Sequence, residues 1–256
     1  MSDLGDRMKR YEAVSASRLM PKTPALIRLD GKAFHTLTRN CTKPWDKHFQ
    51  ETMWETARYL CDQISGCRVA YVQSDEISLL LVDYQSIGTQ GWFDYEVQKL
   101  VSVSASMAAA VFAREYEYGG LAAFDARAWS LPPGEVVNYF IWRQQDATRN
   151  SVSGLAQAHF SPKELHGKNG AAMQDMLMSK GINWNDCPIP QKRGVCVTRE
   201  VYTVPAEDGF GFVDRHRWKV DESIPIFTED REYIERFARA ALGDRAKGQE
   251  GKRDAE

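Results

Sequence analysis

Cys67-Arg68-Val69-Ala70-Tyr71-Val72-Gln73 and Ile77-Ser78-Leu79-Leu80-Leu81-Val82 are two apolar runs separated only by Ser74-Asp75-Glu76. Two strand-length runs around so short a polar break read as a β-hairpin with the acids at its tip. Upstream, residues Trp45 to Ile64 put Phe49, Met53, Ala57, Leu60, Cys61 and Ile64 near a 3.6-residue period, an amphipathic helix that Gly66 closes. Further upstream, Ala25-Leu26-Ile27-Arg28-Leu29 is a short buried strand that stops at Asp30-Gly31. Downstream, Tyr95 to Arg114 suits a helix, and Ala122 to Trp129 a strand before the break at Pro132-Pro133-Gly134. Strand, helix, strand, strand, helix, strand is the order of a ferredoxin-like split βαβ unit, an α+β fold with an antiparallel sheet and its helices on one face.

Outside this unit, Asp3 to Ser17 is a polar helix candidate. Glu135 to Phe160 and Pro162 to Lys180 read as long helices, Cys196 to Val204 and Trp218 to Phe227 as strands. Thr228-Glu229-Asp230 offers a capped start for a helix through Leu242. The expected organisation is a core over residues 1–133 and a helical and β extension over 134–242 that completes a single domain. A mixed-charge, apolar-poor flexible tail over 243–256 would follow.

Composition narrows the classes. The chain has 256 residues, 43% hydrophobic and 11% aromatic, enough for a sizeable core and too much for disorder. Its 33 Lys and Arg nearly balance 35 Asp and Glu, so any nucleic-acid surface must be a local patch. No stretch approaches a membrane span. The first residues, with Asp3, Asp6, Arg7, Lys9 and Arg10, carry no apolar signal core, so a cytoplasmic protein is expected. Cys41, Cys61, Cys67, Cys187 and Cys196 are an odd set without a C-x-x-C pair, which predicts free thiols.

The usual phosphate-loop, dinucleotide, zinc-protease and nucleophile-elbow motifs are absent. What remains is acids at strand ends. Asp30 ends the first strand beside Gly31, whose small size leaves its carbonyl accessible, and Asp75 and Glu76 sit at the hairpin tip. In a ferredoxin-like sheet these strands are neighbours, so Asp30 and Asp75 can converge. Two such carboxylates repel unless a proton or a cation lies between them, and hard oxygen ligands suit Mg²⁺. A pair of Mg²⁺ ions would activate an attacking oxygen and stabilise leaving pyrophosphate. From spacing alone, an ordinary Asp-Gly turn and a polar hairpin tip remain the alternative.

Seven runs change that balance: Arg28-Leu29-Asp30-Gly31-Lys32-Ala33-Phe34-His35, Lys43-Pro44, Tyr71 to Glu76, Phe124-Asp125-Ala126-Arg127, Trp142-Arg143-Gln144-Gln145-Asp146, Lys168-Asn169 and Lys192-Arg193-Gly194. Taken in order, they resemble the tRNA-His guanylyltransferase superfamily, polymerases that extend RNA 5′ ends in the 3′–5′ direction. The resemblance implies a polymerase-like palm with two Mg²⁺ ions per active site. It makes Asp30, Asp75 and Glu76 catalytic, with Asp30, Asp75 and the Gly31 carbonyl as metal ligands. Gly31, Lys32, Ala33, Phe34, His35, Lys43, Ser74, Asp75 and Lys99 would meet the nucleotide. Arg143, Arg149, Asn150, Lys168, Lys192 and Arg193 would meet RNA. Implied partners are tRNA, GTP, ATP and other NTPs, in a homotetramer away from any membrane. A 5′-monophosphate would be activated by ATP or GTP, then attacked by the 3′-hydroxyl of the incoming nucleotide.

One segment departs. Where members that guanylylate tRNA-His carry His-Ile-Asn-Asn-Leu-Tyr-Asn, this chain reads Thr148-Arg149-Asn150-Ser151-Val152-Ser153-Gly154. That is similar to the bacterial and archaeal guanylyltransferase-like branch and implies template-directed addition to truncated tRNAs. Trp129, Trp142, Trp184 and Trp218 read as packing residues before base-stacking ones. Two rival readings share the paired acids: a palm-fold cyclase acting on GTP without RNA, and a non-catalytic RNA-binding protein. The matches after residue 124 have no role in the first, and the retained acids none in the second.

Overall fold

The computed structural model describes residues 3–205 and 211–239. Helix α1 (Leu4–Ala13) precedes strand β1 (Ala25–Gly31), the single turn α2 (Phe34–Leu37) and helix α3 (Lys47–Gln63). The hairpin follows as β2 (Cys67–Gln73) and β3 (Glu76–Leu81), then α4 (Val97–Glu115) and β4 (Phe124–Ser130). The second half holds α5 (Val136–His159), the single turn α6 (Pro162–Leu165), α7 (Gly170–Ser179) and the short α8 (Ile189–Arg193). It ends with β5 (Val195–Pro205), β6 (Phe212–Asp221) and α9 (Glu232–Arg239).

The strands form one sheet in the order β4-β1-β3-β2-β5-β6, every neighbouring pair antiparallel. The first four are the ferredoxin-like unit expected from the element order, and the extension adds β5 and β6 to the edge of the same sheet. Alternation along each strand sends side chains to opposite faces. Ile27, Leu29, Val72, Ile77, Leu79 and Val195 pack in the cluster that contains the α3 and α4 residues Met53, Leu60, Leu100 and Phe112. Leu26, Val69, Tyr71, Leu80 and Cys196 pack with Phe140 of α5 and Ile234 of α9. The core helices thus cover one face, and the extension covers much of the other.

Two elements differ from the expectation. The helix expected over 162–180 is two pieces, because Gly167 turns the chain at φ 72° and the Asn169 side chain accepts from Ala172 N–H to start α7 afresh. The strand expected over 218–227 runs over Phe212–Asp221 instead. Its first residues, Phe212 to Arg217, are exposed and so have no buried face to pattern them; the ladder to β5 and cross-strand pairs such as Arg217 with Glu200 at 2.6 Å hold them there. Ile224 and Phe227 are apolar because they fill the second core cluster from a connecting segment. Helix α9 starts with Asp230 accepting from Tyr233 N–H. Its expected extension past residue 239 and the tail over 243–256 lie outside the described residues. All five cysteines are free. Among the described residues no helix is long and apolar enough to cross a membrane.

Candidate active site

The pairing register builds the acidic centre. Asp30 on β1 stands opposite Glu76 on β3 and opposite Asp125 on β4, giving a row of three acids across three strands. Gly31 N–H donates to the Asp75 carbonyl at 3.0 Å, which ties the end of β1 to the hairpin tip. A Cβ on Gly31 would stand 2.4 Å from the Phe34 ring, so only glycine fits there. Both turns flanking the centre are held in the left-handed region by non-glycine residues, Ala33 at φ 56° and Ser74 at φ 48°. Such backbone costs of order 1 kcal/mol each and persists where the surroundings over-determine it, commonly at functional sites.

Burial pushes the Asp30 carboxyl above its usual range, and Asp125 adds to the effect against Arg28 and Arg127. Burial also raises Asp75; its own backbone N–H opposes that, and Asp30 adds to it. These carboxylates lack enough nearby positive charge in the protein itself. Glu76 differs. It is buried and gripped by the Arg143 guanidinium of α5 at 2.7 and 2.6 Å, and Arg143 also bonds Asp146 at 2.9 Å. Arg143 was expected to face RNA; it is 6% exposed and faces the sheet.

Beside Asp75 opens a cavity of about 350 Å³. Phe34, His35, Lys43, Ser74 and Asp75 line it, as expected of nucleotide contacts, while Gly31, Lys32, Ala33 and Lys99 do not. Lys99 instead pairs with Glu96 at 3.4 Å. Its walls also include Asn150, Ser151 and Gly154, so the departing segment of α5 borders the centre directly. The other expected RNA contacts are spread out. Arg149 is exposed and paired with Asp146 at 2.8 Å. Lys168 is exposed before α7, and Lys192 donates to the Asn185 carbonyl at 2.6 Å. Arg193 offers its carbonyl to the Tyr71 hydroxyl at 2.7 Å, and its Nε is buried without a partner.

Sequence reasoning missed Asp46. Its carboxylate accepts from Thr42 and Phe49 N–H, both at 2.9 Å, and so caps α3 while holding the loop that walls the cavity. An Asp three residues before the first buried helix position was the available signal. It missed Asp125 as well, although it singled out the run that contains it.

Among the described residues no group of three or more His, Cys, Asp and Glu side chains is gathered to cage a metal. Two partly buried carboxylates short of positive charge still fit Mg²⁺, which takes one or two carboxylates and completes its shell with water and substrate phosphates.

The chain is similar to several known proteins. Residues 5–132 match the family model described as tRNAHis guanylyltransferase. An uncharacterized protein of Acanthamoeba polyphaga mimivirus is 30% identical, covering 77% of each chain. The tRNA(His) guanylyltransferase of Schizosaccharomyces pombe is 29% identical over 75% of this chain and 79% of its own. A bacterial tRNA(His) guanylyltransferase-like protein in complex with ATP superposes with a TM-score of 0.85 at 48% identity, over 92% of this chain and 99% of that one. A similar bacterial structure in complex with GTP superposes with a TM-score of 0.81 at 47% identity, over the same shares.

Proposed function

The chain belongs to the tRNAHis guanylyltransferase family, and on that premise we propose that its acidic centre adds template-matched nucleotides to the 5′ ends of tRNA, with GTP or ATP as activating nucleotide. It is a nucleotidyltransferase that extends tRNA at the 5′ end. The observation that carries the site assignment is the juxtaposition of Asp30 and Asp75, locked by Gly31 N–H to the Asp75 carbonyl, with Asp75 on the cavity wall.

Activation of a 5′-monophosphate joins a nucleoside monophosphate to it and releases pyrophosphate from the triphosphate. The 3′-hydroxyl of the incoming nucleotide then attacks the activated 5′ phosphorus. The activating nucleoside monophosphate leaves, and the hydroxyl proton passes to solvent or a nearby base. Asp30, Asp75 and the Gly31 carbonyl would hold Mg²⁺. When bound, the metal neutralises developing phosphoryl charge and polarises the phosphorus. The protein's own part is positioning. The cavity takes the base and sugar, and His35 and Lys43 stand on its wall to meet phosphate oxygens. Arg143 grips Glu76 through two bonds and fixes it against α5 at the β3 end of the acidic row. The same reading makes the protein a cytoplasmic homotetramer, which sedimentation checks directly.

The test supplies purified protein with 5′-monophosphorylated tRNAs lacking their first nucleotide, each NTP in turn, with and without Mg²⁺, and sequences the new 5′ ends. The expected result is one matched nucleotide per vacancy and none without the cation. A cyclic nucleotide formed from GTP without RNA would move the protein to the cyclase class.

A further inference from the structure

Arg127, two residues beyond Asp125 on β4, and Trp142 of α5 have no role in the reaction so far. Arg127 on the edge strand β4 stands directly opposite Arg28 on β1, one pleat repeat from the pair Asp125 and Asp30. Arg28 and Asp30 therefore share a face, about 7 Å apart along the strand. Helix α5 leaves the β4 end of this face open: the side chains of Arg127 and Asp125 are 62% and 58% exposed, and their ion pair is loose at 3.9 Å. From α5, Trp142 comes to the same place. It is 48% exposed although its ring meets Tyr139 edge-on at 5.9 Å and the Arg143 guanidinium at 4.5 Å, and the Arg28 guanidinium lies 6.0 Å from its ring centroid. None of Arg28, Arg127 and Trp142 lines the cavity.

The reaction proposed above joins two substrates at Asp30 and Asp75, and the inference rests on that reading. The cavity beside Asp75 is the place proposed above for the incoming nucleotide. The second substrate must reach the same carboxylates along another wall. We infer that the strip Arg28–Arg127–Trp142 receives the reacting 5′ strand of the RNA. Its guanidiniums take backbone phosphates, and the indole offers a face to a base. Guanidiniums from two strands beside an exposed aromatic ring, outside the cavity that takes the nucleotide, match a strand that carries both phosphate and base. The run 124–127 thereby acquires a role, holding the RNA end against the row of acids.

The experiment measures binding of fluorescently labelled, 5′-truncated tRNA to the full chain by anisotropy across a salt series, alongside KM for the NTP. Variants are Arg127→Gln, Arg127→Lys, Trp142→Ala and Trp142→Phe. Arg127→Gln should weaken RNA binding about tenfold and lower the log–log salt slope by about one, and Arg127→Lys should restore the slope. Trp142→Ala should weaken binding about tenfold with little change in slope, and Trp142→Phe should recover most of it. The KM for the NTP should stay put in all four. Unchanged RNA affinity in Arg127→Gln and Trp142→Ala overturns the inference, as does a rise in NTP KM with RNA affinity intact. The wild-type protein separates the two readings. If it adds no nucleotide to any tRNA yet these variants weaken RNA binding, the reaction falls and the strip stands. If it adds nucleotides and the variants bind normally, the strip falls and the reaction stands.

Discussion

Arg143 grips Glu76 through two parallel bonds, Nε to Oε1 at 2.7 Å and Nη2 to Oε2 at 2.6 Å, with both side chains under a tenth exposed. The pair pins α5 to β3 at the β3 end of the acidic row. Breaking a buried ion pair from one side strands the other charge, at a cost of roughly 3–5 kcal/mol, whereas replacing both by apolar groups is often close to neutral. Arg143→Met and Glu76→Leu should each destabilise by about that amount, and the double variant by clearly less than their sum. Urea unfolding of the four proteins reads the coupling. Strict additivity would show that the pair contributes nothing beyond its separate members.

Asp30 and Asp75 lie in opposite balance. Their folded-state carboxyls are raised, so ionisation at neutral pH works against the fold, and the protein gains stability as pH falls through the raised values. Asp30→Asn and Asp75→Asn should therefore unfold at the same or a higher temperature than wild type in metal-free buffer at pH 7. Both should lose nucleotide addition, and the stabilisation that Mg²⁺ confers on wild type should vanish. Near-normal activity in a folded variant removes that residue from the reacting centre.

Asp46 carries the reverse sign. Burial opposes its ionisation, but the N–H groups of Phe49 and Thr42 outweigh burial and hold the carboxyl below its usual range. Its stabilisation is fully present above the unfolded value of about 4 and drains away as pH falls through the folded value. Asp46→Ala should cost about 1–2 kcal/mol at pH 7. The difference from wild type should shrink below about pH 4 in a thermal-unfolding series. A difference that stays constant with pH would mean that the carboxylate charge is irrelevant.

Template dependence follows from the wall of the cavity. Asn150, Ser151 and Gly154 border it, and a Cβ on Gly154 would meet nothing within 4 Å. Small groups and open space beside the nucleotide leave base choice to pairing with the opposing RNA strand. One 5′-truncated tRNA, with the opposing 3′-strand base varied through all four identities, should accept the complementary nucleotide each time and react weakly where no Watson–Crick pair forms. Equal addition of G opposite every base would mean that protein contacts select it.

The amino-acid sequence determined the ferredoxin-like unit, because periods of 2 and 3.6 and the turn residues between them act within a few residues of chain. It also put Asp30, Asp75 and Glu76 at strand ends, where open backbone and a polar break coincide. It misplaced β6 because the first part of that strand is patterned by its ladder to β5 and not by burial. Which way a polar side chain turns was beyond it as well. Arg143 and Trp142 are neighbours on α5; one is buried against Glu76 and the other is half open beside Arg28. Only the packing of α5 across the sheet decides this, since it fixes which helical positions meet the acids and which overhang the uncovered β4 edge. The meeting of Asn150 and Gly154 with Asp75 around one cavity is tertiary too, because residues far apart in the chain share a wall only after the extension has docked.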